Sequence, residues 1–284
     1  MAPVEIGAGS ARQQTGDEAM QNVLEQHRTA AVYDQSFVPA LFAQWGPVVT
    51  AAAGIRPGQR VLDVACGTGA LTLAAAEAVG PEGALVGLDL NPEMLEVARR
   101  KSARIDWQEA PAEALPFPDA AFDAVVSQFG LMFFADRVAA LREMWRVVRP
   151  GGRLAVAVFA AIEQAPGYAA LVDVLDRLFG EAVGDGLRAP FVLGDAGRLQ
   201  ELAAAAGIGA ARVTRHLGTV DFPSIEALVA TERACVWTLG GMLDAGQFAR
   251  LREAARPALE PFVTAEGRVR FELPALILEA ERPR

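Results

Sequence analysis

The sequence predicts an α/β protein built on a doubly wound, mostly parallel sheet, and three observations predict it. Short apolar runs alternate with helix-patterned segments through the first 160 residues. The first of these runs ends in the turn Cys66-Gly67-Thr68-Gly69, and the second ends in an acid, Asp89. Parallel strands are covered on both faces and joined by helical crossovers, so they read as continuous apolar runs separated by helices.

Residues 1–18 are rich in Gly, Ala, Ser and Gln without apolar periodicity and read as a mobile tail. From Ala19 to Ala53, Val23, Leu24, Val32, Phe37, Leu41 and Trp45 recur at helical spacing, which predicts a helical lid interrupted at Pro39 and Pro47. Arg60–Ala65 suits a buried strand and Ala70–Val79 a helix, closed by Gly80-Pro81-Glu82-Gly83. Ala84–Leu88 is a second strand. Asn91 then caps a helix with Pro92 at its first position, running to about Ser102. Ile105–Gln108, Phe122–Ser127 and Arg153–Phe159 read as three more strands, with a helix over Val138–Val148 before the last. Beyond them, Ala211–Thr219 alternates like a sixth strand, and Arg270–Glu279 reads as a seventh in which Pro274 demands an edge or an interruption. The expected organisation is therefore tail 1–18, lid 19–53 and a main domain 54–284, with helical cap insertions at about 161–195 and 220–265.

Composition narrows the function. Of 284 residues 52% are hydrophobic, enough for a large core. Lys plus Arg number 26 against 35 Asp plus Glu, so the chain repels polyanions and nucleic acid is excluded as a first expectation. Cys66 and Cys235 offer neither a disulfide framework nor a CxxC metal or redox pair, which suits a reducing cytoplasm and predicts no metal site. No basic leader and no uncharged apolar run of about 18 residues is present, so neither targeting nor membrane insertion is expected. The oligomeric state is open, a homodimer included.

The turn after the first strand carries the chemistry. Gly67 and Gly69 leave room for a ligand before a helix N-terminus. Asp63 can organise that loop or reach a ligand amine, and Asp89, twenty residues past Gly69, stands where a carboxylate accepts from both hydroxyls of a ribose. A nicotinamide-type GxGxxG is incomplete, since Ala65 replaces a first glycine and Thr72 stands at the third position after Gly69. No GK[ST] follows. Ser127, Gln128 and Phe129, ending the fourth strand, sit at the carboxyl edge where such sheets bind ligands.

VLDVACGTG, GLDLNPEMLEVAR, AEALPFPDAAFDAVVSQFGLMFF and LREMWRVVRPGGRL occur in this order. Over about residues 28–160 the chain resembles the ubiquinone/menaquinone-biosynthesis-type branch of class I S-adenosylmethionine-dependent methyltransferases. The resemblance implies a Rossmann-like seven-stranded sheet and S-adenosylmethionine as cofactor. The backbone of Ala65, Cys66 and Gly67 would meet its methionine end, Asp89 its ribose, and Leu90 and Met94 its adenine. Where relatives place an adenine-contacting Asp this chain has Pro111, leaving the Ala112 N–H, with Glu113 either substituting or solvated. Tyr33, in a Tyr-Asp element, would fold over the methionine portion. The motif set is shared by enzymes acting on quinones, sterols, polyketides, sugars and amines, so it implies a cofactor class and no single acceptor.

Methyl transfer from a sulfonium is an in-line displacement that needs alignment and, for some acceptors, a base. His27 and His216 are the side chains that titrate near neutrality unaided, so His27 and Tyr33 are the catalytic candidates and His216 a further one. Met132, Phe133, Phe134, Phe179, Phe191, Trp237 and Met242 are candidates for an acceptor pocket or for ordinary core. Methylation of an oxygen or carbon nucleophile on a small, largely apolar acceptor is the expected function. The alternatives are a different reaction on the same cofactor, such as a cyclisation, or a non-catalytic cofactor-binding module.

Overall fold

Strand β1, Arg60–Val64, is apolar on both pleat faces at Val61, Leu62 and Val64 and accordingly lies inside a sheet with neither face in water. The computed structural model describes residues 30–235 and 238–284. The expected tail, the first part of the lid, His27 and Trp237 lie outside the described residues. The other strands are β2 (Ala84–Asp89), β3 (Asp106–Glu109), β4 (Phe122–Gln128), β5 (Val148–Phe159), β6 (Arg212–His216), β7 (Thr219–Phe222), β8 (Val269–Glu272) and β9 (Ala275–Glu281). Seven of them form one sheet in the order β3-β2-β1-β4-β5-β9-β6, parallel except for β9. The predicted α/β class with its seven-stranded, mostly parallel sheet is the fold observed.

Chain direction across the sheet reverses after β3. Right-handed crossovers therefore put the helix between β1 and β2 on one face and the helix between β4 and β5 on the other. On the first face α1 (Trp45–Ala52) packs on α2 (Ala70–Val79); α3 (Pro92–Lys101) packs against β2 and β3. On the second, α4 (Arg137–Val147) packs on a helix over Ala196–Ala205. Asn91 caps α3 as expected, its side chain accepting from the Glu93 and Met94 N–H groups. Arg149-Pro150-Gly151-Gly152 forms a bulge within β5: Phe122 faces Val148, and Ala124 next faces Arg153.

The two last predicted strands need correction. Neither Ala211–Thr219 nor Arg270–Glu279 is one strand: β6 and β9 belong to the main sheet, while β7 and β8 form a separate pair. The register nevertheless continues, since His216 faces Ala275 and Thr219 faces Glu272, three residues on along each strand. One long antiparallel ribbon is thus bent at Leu217-Gly218 and Leu273-Pro274. Pro274 is an interruption, and β9 is internal, not an edge. The Pro274 carbonyl accepts from Ala160 N–H at the end of β5, and Leu273 N–H donates to the Gly218 carbonyl (2.8 Å).

Helices rise over the carboxyl edge of the sheet from two places. After β5 come α5 (Pro166–Phe179) and α6 (Glu181–Arg188); α7 is the helix Ala196–Ala205; and α8 (Ile225–Ala234) and α9 (Ala245–Leu259) leave the tip of the ribbon. The N-terminal segment meets them. Pro39 lies inside a π-helical segment, Tyr33–Phe42, and Pro47 in the first turn of α1, so neither breaks a helix as expected. The break falls at Ala43-Gln44, where the Gln44 side chain accepts from Thr219 N–H (2.9 Å) and donates to the Thr219 carbonyl (2.7 Å). Phe37 packs edge-on against Phe222 beside it. Among the described residues no helix is long and apolar enough to cross a membrane.

The ribbon bend rests on one glycine. A Cβ on Gly218 would stand 2.1 Å from Trp45 Cζ2 and 2.8 Å from the Leu273 carbonyl oxygen, and Trp45 is fully buried. Gly218→Ala is expected to destabilise the protein by about 1–3 kcal/mol through overpacking, read as a lower midpoint in denaturant unfolding.

Candidate active site

Between β1 and β4 the chain leaves neighbouring strands in opposite directions, the position at which such sheets open a crevice. A cavity of about 1000 Å³ occupies it, and a niche of about 30 Å³, room for one small polar group, shares the walls formed by Tyr33, Phe42, Ala65, Gly67 and Gln128.

The glycine turn is shaped by hydrogen bonds. Cys66 N–H donates to the Leu88 carbonyl (2.9 Å) and Gly69 N–H to the Cys66 carbonyl (2.8 Å), while Ala65 and Gly67 take left-handed φ of 57° and 54°. Asp89 ties the turn to β2: Oδ2 accepts from Gly67 N–H at 2.7 Å and Oδ1 from Asn91 N–H at 2.8 Å. Burial raises the Asp89 carboxyl above its ordinary value against these N–H donors. Each oxygen keeps a second acceptor direction, which is what a vicinal diol requires.

The two glycines do different work. A Cβ on Gly67 would meet nothing within 4 Å, and Gly67 faces both the cavity and the niche. Gly69 faces neither; its φ is 86°, and a Cβ there would stand 2.6 Å from Trp107 Cη2. Gly69 therefore serves packing, a correction to its expected contact with cofactor.

Asp63 is fully buried below the turn. Its Oδ2 accepts from Thr72 Oγ1 at 2.6 Å, and its Oδ1 finds no partner among the described residues. Burial pushes its carboxyl up to about 7, against the Thr72 bond. Gln128 lines the same niche, its Nε2 donating to the Phe42 carbonyl (3.2 Å) and its Oε1 unpartnered among the described residues. Two unsatisfied buried acceptors around one small niche fit an ammonium group. With Asp89 and the open side of Gly67, the residues fit the amine, ribose and methionine backbone of S-adenosylmethionine.

Tyr33 spans the join between niche and cavity, stacked on Phe42 with ring centroids 5.2 Å apart. Burial, then the neighbouring Cys235, Asp89 and Asp34, push its phenol well above the ordinary range, so it stays protonated at neutral pH and is no base. Asp34 beside it is ion-paired with Lys101, whose Nζ also donates to the Thr68 carbonyl (2.9 Å). One lysine thus fastens the lid segment to the glycine turn.

Leu90, 65% exposed, and the buried Met94 and Ala112 line the cavity, whereas Pro111 does not. Glu113 lines it too, partly exposed, with one carboxylate oxygen engaged by backbone. Its Oε1 accepts from the Ala135 and Asp136 N–H groups (3.1 and 3.4 Å), bracing the loop before α4. Ser127 is fully buried behind Gly130 and reaches neither space, a second correction. His216 lies on β6, its Nε2 3.1 Å from Thr214 Oγ1, and lines neither space. Of the aromatic and methionine candidates, Phe133, Phe134 and Phe191 line the cavity; Met132, Phe179 and Met242 do not.

Away from the glycine turn the cavity wall is aromatic. Phe129 stacks on Phe159 with centroids 4.0 Å apart, and Phe159 leads to Phe191 and Tyr168. Set in this wall is Glu232, an acid that no motif singled out, 1% exposed and bonded by Tyr168 and Thr238. The sequence did carry a signal for it. Glu232 lies three, four and seven residues after Val229, Leu228 and Ile225, on the apolar stripe of α8 where a charge has no solvent.

Among known proteins, the ubiE/COQ5 methyltransferase family matches residues 14–173. The ubiquinone/menaquinone biosynthesis C-methyltransferase UbiE of Ectopseudomonas mendocina is 41% identical over 159 residues, which cover 53% of this chain and 60% of that protein. The match thus spans less than two thirds of that relative's length. In structure, the YcgJ protein of Bacillus subtilis is similar with a TM-score of 0.57 at 20% identity, over 85% of this chain and 99% of that one. Phosphoethanolamine N-methyltransferase 2 of Haemonchus contortus, solved with phosphomonomethylethanolamine and S-adenosylhomocysteine, gives 0.57 at 18% identity, over 90% of this chain and 57% of that one. At these identities both show the fold.

The glycines separate under substitution. Gly69→Ala adds backbone strain of about 1–2 kcal/mol to its clash with Trp107 and is expected to lower the unfolding midpoint. Gly67→Ala places its methyl toward open space and is expected instead to weaken S-adenosylhomocysteine binding in calorimetry beyond the loss in stability. A second expectation concerns pH. The Asp63 carboxyl is raised from its ordinary 3.8, so its contribution to stability is full below that value and is lost as pH rises through about 7. An ammonium donor prefers the ionised form, so S-adenosylmethionine affinity should rise from pH 5 to 7, with proton release seen by titration in buffers of different ionisation enthalpy. Asp63→Asn should abolish both.

Proposed function

The chain belongs to the ubiE/COQ5 methyltransferase family, and on that premise we propose that it transfers a methyl group from S-adenosylmethionine to an oxygen or carbon nucleophile of a small, largely apolar acceptor. The observation that carries this reading is one cavity with two unlike ends. One end has Asp89, Asp63, Gln128 and the Gly67 backbone; the other is walled by Phe129, Phe159, Phe191 and Tyr168.

When bound, S-adenosylmethionine supplies an electrophilic methyl carbon on a sulfonium. The residues supply position. Asp89 holds the diol and, through Gly67 N–H, keeps the turn in register with it. Asp63 and Gln128 fix the amine, and Tyr33, fastened by the Asp34–Lys101 pair, closes over it and excludes water. Alignment of this kind accounts for a large part of the acceleration of a two-reactant displacement. The aromatic wall favours a flat or apolar acceptor and presents ring faces toward the cationic centre. Lid 19–53 and the insertions at about 161–195 and 220–265 act in this reading as the closing and specificity-setting parts. A cytoplasmic setting is supported by two buried cysteines that form no disulfide with each other, and the net charge of -9 argues against a polyanionic acceptor.

Incubation with S-adenosylmethionine and a panel of phenols, quinols and polyketides should yield a product heavier by one methylene unit. A product of unchanged mass would mean cyclisation, and NAD binding in preference to S-adenosylhomocysteine would overturn the cofactor. Asp89→Ala should weaken S-adenosylhomocysteine binding by about 1–3 kcal/mol in calorimetry; unchanged affinity would remove Asp89 from the ribose role.

A further inference from the structure

We propose that Glu232 is the base on the acceptor side, taking the hydroxyl proton of a neutral acceptor, and that Tyr168 and Thr238 are its positioning residues. The inference rests on the methyl-transfer reading and adds to it a residue and an acceptor class, a molecule carrying a weakly acidic hydroxyl. Glu232 and Thr238 lie beyond residues 14–173, outside the part of the chain matched by the family.

Glu232 is brought to the cavity by α8. Tyr168 Oη, from α5, donates to Oε1 at 3.0 Å, and Thr238 Oγ1 donates to Oε2 at 2.8 Å. A carboxylate accepts about four hydrogen bonds, so each oxygen keeps an acceptor direction after these two. Among the described residues no Lys, Arg or His is paired with it; only burial and the two hydroxyls set its titration. Burial pushes it up to about 7 against both donors. A group poised near neutrality is ionised often enough to accept a proton and basic enough to keep it.

Among the described residues the other candidates fall away on geometry or protonation. His216 lines neither space, Tyr33 stays protonated, and the oxygens of Asp89 are tied to the glycine turn. The other titratable groups lining the cavity are Tyr33, Asp89, Glu93, Glu113, Asp136, Tyr168 and Cys235, of which Tyr168 is bonded to Glu232. Burial and the adjacent Glu232 hold the Tyr168 phenol well above its ordinary range, so it acts as a donor throughout.

The step balances. The acceptor hydroxyl proton passes to a free direction on the Glu232 carboxylate, the electron pair released on oxygen forms the bond to the methyl carbon, and the pair of the breaking C–S bond leaves with sulfur. Charge is conserved, because the anionic carboxylate and cationic sulfonium give a neutral carboxylic acid and thioether. An ammonium acceptor would be held by the same carboxylate in its unreactive protonated form, whereas a neutral hydroxyl is not.

A pair of fluorescent probes tests the assignment without turnover. 2-Naphthol and 2-methoxynaphthalene, differing in the hydroxyl hydrogen, are titrated into the S-adenosylhomocysteine complex. The wild type should prefer 2-naphthol by about tenfold or more, as a hydrogen bond to a charged acceptor implies. That preference should shrink as pH falls from 8 to 6, disappear in Glu232→Gln, and move its pH midpoint upward in Tyr168→Phe and Thr238→Val. All variants should keep wild-type S-adenosylhomocysteine affinity. Absence of a hydroxyl preference in the wild type, its persistence in Glu232→Gln, or stronger binding of 1-naphthylmethylammonium than of 2-naphthol would overturn the proposal. Failure of the wild type to methylate any acceptor while the preference stands would strike at the methyl-transfer reading alone.

Discussion

The bond from Gly67 N–H to the Asp89 carboxylate, 2.7 Å long, is the interaction on which the site depends. It joins the end of β1 to the end of β2 across a turn in which Gly67 takes a positive φ freely while Ala65 takes one at a steric cost that the surrounding bonds must offset. The second Asp89 oxygen holds Asn91 N–H and so fixes the entry to α3, while Asn91 caps that helix. One carboxylate therefore sets the turn, the start of the next helix and the position of its own remaining acceptor directions. Opposite, Gly130 after β4 approaches so closely that a Cβ there would stand 2.6 Å from the Ala65 Cβ. The crevice between β1 and β4 is narrow because both sides lack bulk.

Two buried acids face the two ends of the cavity system under the same physical rule. Asp63 and Glu232 are both inside, both held by hydroxyl donors instead of cations, and both displaced upward to about 7 by burial. A buried charge with no counter-ion is expensive, and the group lowers that expense by keeping its proton until a ligand changes the balance. At Asp63 the ligand would bring a cation; at Glu232 it would bring a proton to be taken. Tyr33, with Asp89 on one side and Cys235 on the other, stands between them.

The acceptor end exists because the lid and the ribbon are joined. Gln44 pairs with both backbone groups of Thr219, and Phe37 meets Phe222, so the N-terminal segment is tied to β7. Beyond the bend at Gly218 and Pro274 the ribbon leaves the sheet and sends out α8 and α9; Glu232 on α8 and Thr238 between the two helices line the cavity. A straight ribbon would have kept those helices at the sheet's edge.

By itself the sequence determined the sheet, the glycine turn and Asp89, because each is written in a contiguous stretch: apolar runs cannot be solvated, a tight turn needs glycine, and an acid at a strand's end has one local role. Local pattern also named Asp63 and Gln128, and the family resemblance named Tyr33. Only the tertiary structure decided which glycine faces the cavity, since the space beside Gly69 belongs to Trp107, a residue 38 positions later. It likewise withdrew Ser127, gave Glu113 to the loop before α4, and divided two predicted strands between two sheets. Glu232 shows the limit most clearly. Its place on an apolar stripe marks it as buried, but its meaning comes from Tyr168, 64 positions earlier, and from a cavity wall that exists only when two insertions meet.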